Sequence, residues 1–143
     1  MKVWIKRFDK EIPLPAYKSP GAVCVDLYAR ETIRIPAGKV AIIPLNIAIE
    51  IPKGYWGMVV PRGSTHKLGI LMVNSMAVVD EDFCGDNDEY VFPGLNFTDK
   101  EVVIERGLRI AQMMIMKYEK FEFEEVNKLD NPDRGMLGTT GSK

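Results

Sequence analysis

The chain has 143 residues, 46% of them hydrophobic and 27% charged, and its 19 basic and 20 acidic residues leave a net charge of −1. That length and balance fit one ordinary globular domain. Without a basic excess, a nucleic-acid binder is disfavoured, whereas an anionic small ligand stays open because local arginines matter more than the total.

The opening segment, "MKVWIKRFDKEIPLP", has no long apolar run, which predicts neither a secretion signal nor a membrane span. Cys24 and Cys84 lack metal-ligand spacing. Reduced thiols in a cytoplasmic setting are therefore expected. Further along, "LNIAIEI" places Leu45, Ile47, Ile49 and Ile51 on one face, and "FEFE" at 121–124 alternates without a break. Period two predicts half-buried strands. Turn signals interrupt these runs at "IPAGK" (35–39), "IPKGY" (51–55), "FPG" (92–94) and "ERG" (105–107). The stretch "GILMVNSM" (69–76) suits a short helix or a strand equally, and no other segment holds a helical period. The expected fold is all-β, a barrel or double-sheet jelly roll.

Several stretches carry candidate chemistry. "PRGSTHKLGI" (61–70) gathers Arg62, Gly63, Ser64, Thr65, His66 and Lys67, which suit phosphate oxygens or a plain polar turn. His66, the only histidine, reads as a solvated side chain. In "VVDEDFCGDNDE" (78–89) a calcium loop fails on spacing, since Cys84 and Val91 fall where oxygen ligands are needed. Asp80 differs from its acidic neighbours because it follows an apolar strand end, a rigid mount suited to a general base. Asn74 lies six residues earlier, and its amide can both donate and accept. "RGLRIAQMMI" (106–115) sets Arg106, Arg109 and Gln112 in an apolar strand, where a buried glutamine needs partners. The last residues, "DRGMLGTTGSK" (133–143), read either as a loose end or as a flap that closes on an anion. A GxxxxGK[ST] loop, an H-x-E with P-C-x-x-C, and a G-x-S-x-G are all absent from the sequence, which disfavours P-loop, zinc-deaminase and serine-hydrolase chemistry.

Five stretches in order resemble the dUTPase family, which splits dUTP into dUMP and pyrophosphate: "GAVCVDLYA" (21–29), "PRGSTHKLGI", "NSMAVVDEDFCGD" (74–86), "RGLRIAQMMI" and "RGMLGTTG" (134–141). The resemblance implies a distorted jelly-roll β-barrel over residues 1–132 with a flexible glycine-rich C-terminal arm at 133–143. It also implies a homotrimer with sites at subunit interfaces, Mg²⁺ as cofactor, a deoxynucleoside triphosphate as substrate, and neither nucleic-acid nor membrane partners. Asp80 would activate the attacking water, Asn74 would read uracil, and Phe83 would pack under the deoxyribose. Arg62, Gly63, Ser64 and Gln112 would hold phosphates, and Asp26 would order the metal's water shell or a neighbouring arginine. Arg134, with Gly138 and Thr139, would close over the γ-phosphate.

Departures are visible. Gly63 stands where the family often has serine, Leu108 replaces an aspartate, Leu137 replaces the stacking aromatic, and the segment after Gly85 is about three residues long in excess. The spacing of "RGSTHKLG" also resembles dCTP deaminases, with Glu89 as the only candidate for their glutamate. A non-catalytic nucleotide-binding regulator on the same scaffold is a third possibility.

Overall fold

The computed structural model describes residues 1–135; Leu137, Gly138 and Thr139 of the expected arm lie outside them. Eleven strands follow one another: β1 (Trp4–Arg7), β2 (Val25–Tyr28), β3 (Ile33–Ile35), β4 (Val40–Pro44), β5 (Ile47–Glu50), β6 (Tyr55–Pro61), β7 (Ile70–Met72), β8 (Ala77–Val79), β9 (Val91–Asn96), β10 (Val102–Ile104) and β11 (Arg109–Lys117). They form a four-stranded sheet in the order β2-β11-β6-β8, a three-stranded sheet β4-β9-β7, and the pairs β1-β5 and β10-β3. Every pairing is antiparallel. The result is a jelly-roll-like all-β fold, and its ladders do not close into a continuous barrel among the described residues. The only helical piece there is a 3₁₀ turn, Thr65–Leu68. Among the described residues, no helix is long and apolar enough to cross a membrane.

The inward faces of these sheets share one core, with Leu27, Ile35, Ile43, Leu45, Ile47, Ile70, Phe92, Ile104 and Ile110 fully enclosed. Burying side chains of this size contributes about 1.5–3 kcal/mol each, which is what sets the strand faces. Leu45, Ile47, Ile49 and Ile51 all enter this core as their alternation predicts. The ambiguous stretch at 69–76 resolves into β7 and a turn. Gly69 permits that entry: it sits at φ +80°, and a Cβ would stand 2.9 Å from Thr98 Cγ2.

Two expectations fail. "FPG" is no turn but lies inside β9. Pro93 O accepts from Val73 N just past the end of β7, so the side of Pro93 that lacks an N–H faces the place where that ladder stops. Gly94 is there for packing, since a Cβ would meet Ile43 Cδ1 at 3.3 Å. "FEFE" forms no strand; Phe121 and Phe123 are 74% and 92% exposed and touch only edge to face, 5.0 Å between centroids. Alternation marks a face that requires cover, and the residues around 121–124 offer no strand to pair with.

Asn96 is wholly buried at the end of β9 and fastens three segments. Its amide donates to Ile35 O (2.8 Å) and Lys100 O (2.6 Å), and its Oδ1 accepts from Thr98 N (2.8 Å) and Thr98 Oγ1 (2.7 Å). Asn96→Ala orphans these groups and is expected to cost about 3 kcal/mol or more, at about 1–3 kcal/mol per unsatisfied buried group, read as a lower denaturation midpoint at unchanged m-value.

Candidate active site

One cluster forms where β2, β11 and the end of β6 meet. In the ladder, Asp26 stands opposite Gln112, and Ala111 opposite Pro61. Asp26 is nearly buried, at 9% exposure, and both of its carboxylate oxygens are engaged. Oδ1 accepts from Arg62 Nε at 2.8 Å and Oδ2 from Arg109 NH1 at 2.9 Å. One carboxylate thus holds two guanidiniums side by side, with 27% of the Arg62 side chain and 42% of the Arg109 side chain still open, a pairing that charge-assisted bonds make strong and directional. Gln112 Nε2 donates to Pro61 O at 3.1 Å, which meets its need for a partner.

β11 carries a bulge that makes this cluster possible. Its register against β2 shifts between Arg109 and Ala111, and Ile110 and Ala111 are both buried. Residues three apart on a regular strand point to opposite faces. The extra residue resets the alternation, so Arg109 and Gln112 work on the same side. Arg106, which the sequence groups with them, goes elsewhere: it binds Asp9 Oδ2 at 2.6 Å and Glu11 Oε2 at 2.7 Å. Its hydrogen bond holds the Asp9 carboxyl below the ordinary carboxylate range.

The loop after β6 is fixed from beneath. Thr65 is buried and its hydroxyl donates to Ile110 O at 2.7 Å. Ser64 precedes the 3₁₀ turn, and its side chain makes no capping bond, so the hydroxyl is uncommitted. Gly63 is exposed with open space where a Cβ would stand, so no packing in the chain requires a glycine there. His66 and Lys67 are exposed, as expected of solvated side chains.

A second cluster lines a cavity of about 240 Å³, walled by Asn74, Asp80, Phe83, Glu89, Tyr90 and Pro93 among others. Asn74 lies in the turn between β7 and β8, with Ser75 at φ +61° and Met76 N bonded to Asn74 O at 2.6 Å. Asp80 directly follows β8 and is exposed, and Phe83 N donates to Asp80 O at 3.2 Å. Phe83 is 41% exposed. Its ring lies 6.1 Å from that of Tyr90, whose phenol is pushed up by burial, with Cys84 adding to the shift. Glu89 is already committed: Arg30 grips it with two bonds of 2.7 and 2.9 Å, and Asn46 N adds a third at 2.9 Å. A larger hollow of about 430 Å³ on the other flank of Asp80 is rimmed by Glu81 and Asp82 as well. Three carboxylates against Lys120 make it a poor seat for a polyanion.

Asp80 stands apart from the arginine cluster within one chain. Val79 pairs with Gly57 near the start of β6, whereas Arg62 follows its end. Five to six residues of strand at about 3.3 Å each set Asp80 roughly 17–20 Å from Arg62, while the Asn74 turn lies toward the Arg62 end of β6, since Ala77 pairs with Val59. Arg134 is exposed. The sequence named most of these residues but not Arg109 or Tyr90 as members of a site, and a bulge or an unpaired hydroxyl leaves no sequence signal.

The dUTPase family model matches residues 10–143. An SPbeta prophage-derived deoxyuridine 5'-triphosphate nucleotidohydrolase from Bacillus subtilis is 43% identical over all of both chains. A Staphylococcus bacteriophage 80alpha dUTPase variant with dUpNHpp superposes with a TM-score of 0.84 over 98% of each chain at 18% identity. A phage phi11 dUTPase variant, whose structure describes a structural Mg(II) ion, gives 0.80 over 92% of this chain and all of that one at 14% identity. The chain belongs to the dUTPase family.

If Asp26 holds the guanidinium pair together, Asp26→Asn leaves two cations facing one neutral amide. The expected loss is about 1–3 kcal/mol, the range for breaking hydrogen bonds to charged groups. Chemical denaturation of the variant beside Asp26→Glu measures it.

Proposed function

We propose that this protein hydrolyses dUTP to dUMP and pyrophosphate, with the nucleoside in the Asn74–Asp80–Phe83 cavity and the phosphates on the Arg62–Arg109–Gln112 cluster. The observation that carries the reading is the presence of two complementary half-sites: a small, partly apolar cavity beside one exposed carboxylate, and a cationic cluster beside an uncommitted hydroxyl. A nucleotide needs both kinds of surface. Asp80, exposed on the end of a strand, would take the proton of the attacking water. Ser64, Gln112 and the guanidiniums would stabilise charge that develops on phosphate oxygens. Arg134 would add a planar cationic fork at the γ-phosphate when the arm closes.

Mg²⁺ suits this chain as an ion carried by the substrate. Mg²⁺ keeps several waters and leans on substrate phosphates with one or two carboxylates. Among the described residues, no three acidic, histidine or cysteine side chains gather to hold it alone. Asp26 spends one bond per oxygen on arginines and retains lone pairs for the ion's water shell. When bound, the ion supplies charge neutralisation on the triphosphate.

The separation of Asp80 from Arg62 supports a homotrimer in which each site takes its general base from one copy and its phosphate-binding arginines from another. The bare Phe121 and Phe123 are consistent with a segment that crosses to a neighbour. The dCTP deaminase alternative is disfavoured because Glu89, its glutamate candidate, is tied to Arg30 and Asn46.

Pyrophosphate should appear as the first product from dUTP and Mg²⁺; orthophosphate in its place would sink attack at the α-phosphorus. Asp80→Asn should lower kcat by roughly 10²–10⁴ while the variant still binds nucleotide. Co-assembly gives the sharper check on the trimer. Asp80→Asn and Arg62→Ala, each inactive alone, should regain activity when refolded together, with about a quarter of sites intact by random assortment in a closed oligomer. Absence of rescue would place both halves in one chain.

A further inference from the structure

Tyr90 carries the one side-chain polar atom among the described residues that is buried with nothing to bond. The residue is 3% exposed immediately before β9, and its side chain forms part of the 240 Å³ cavity's wall beside Asn74, Asp80 and Phe83. Enclosing a hydroxyl without a partner costs about 1–3 kcal/mol. A phenylalanine would fill almost the same space without that cost.

The position is held firmly. Tyr90 N donates to Ile47 O at 2.9 Å and Tyr90 O accepts from Leu45 N at 2.8 Å. Its neighbour Glu89 is clamped by Arg30. The ring therefore cannot turn out to water by a slip of the backbone. What lies beside it is Phe83, half-exposed on the loop that follows Asp80. A ligand that displaces Phe83 toward a sugar would uncover the hydroxyl from the cavity side.

We propose that Tyr90 is a specificity-determining residue whose hydroxyl pairs with a polar atom of the pyrimidine ring of a bound deoxynucleotide. This rests on the assignment of the nucleoside to this cavity. A hydroxyl both donates and accepts, so it can meet a ring carbonyl or a ring N–H. Burial pushes the phenol up, so it keeps its proton through the neutral range. The cost of the unpaired group in the free protein is then offset only in the complex, which makes the contact a selective one.

Tyr90→Phe keeps the ring and removes only the oxygen, and two readouts should move in opposite senses. Without ligand, the melting temperature stays level or rises. Calorimetric affinity for dUMP falls roughly 5- to 30-fold, as expected for one lost hydrogen bond. KM for dUTP rises in step with little change in kcat, and affinity for deoxyribose 5-phosphate, which has no base, is unchanged. A variant that melts lower without ligand yet binds dUMP like the parent shows that the hydroxyl serves the fold, and overturns the proposal. Asn74→Ala separates this failure from that of the underlying assignment. If Asn74→Ala weakens dUMP binding and Tyr90→Phe does not, Tyr90 alone is wrong. If neither variant changes dUMP binding, the nucleoside does not occupy this cavity and the proposal falls with it.

Discussion

The span of a single strand governs this molecule. β6 carries the loop of Arg62 at one end and, through its partner β8, the carboxylate of Asp80 at the other. An extended backbone cannot fold its ends together. Asp80 and Arg62 are therefore held apart by the same ladder that stabilises their mounts. Each mount is preorganised separately by its own bonds.

Preorganisation in the arginine cluster comes from one shared carboxylate. Two guanidiniums repel each other, and Asp26 removes that repulsion by bonding both. Thr65 pins the adjoining loop to β11 through a buried hydroxyl. The cavity beside Asp80 is built differently. A turn strained at Ser75 and a short loop after Asp80 bring polar groups to a mostly apolar cavity. Arg30 and Glu89 anchor the far wall by a pair of bonds across the fold. The longer segment after Gly85 is held by one local bond, Gly85 N to Asp88 Oδ2 at 2.7 Å, and by one to β1, Lys6 Nζ to Asp86 O at 2.6 Å.

The sequence by itself determined the fold class, the faces of the principal strands and most of the candidate site. Alternation in "LNIAIEI" picked out Leu45, Ile47, Ile49 and Ile51 for the core, because alternate side chains of a strand share a face, but the burial of Asn46 and Ala48 on the other face was not legible in it. Asp80 was legible because an acidic residue directly after an apolar strand end marks a rigid mount, and the order of the stretches with glycine, arginine and asparagine carried the family. Only the tertiary structure decided the rest. It put Pro93 inside a strand, since the consequence of a missing N–H depends on which neighbour it faces. It left Phe121 and Phe123 bare, since alternation calls for a partner without naming one. It separated Arg106 from Arg109 and set Arg109 beside Gln112, since a bulge is a compromise between two ladders and is written in neither strand alone. It also isolated the hydroxyl of Tyr90, because whether a polar atom is satisfied is a property of everything packed around it.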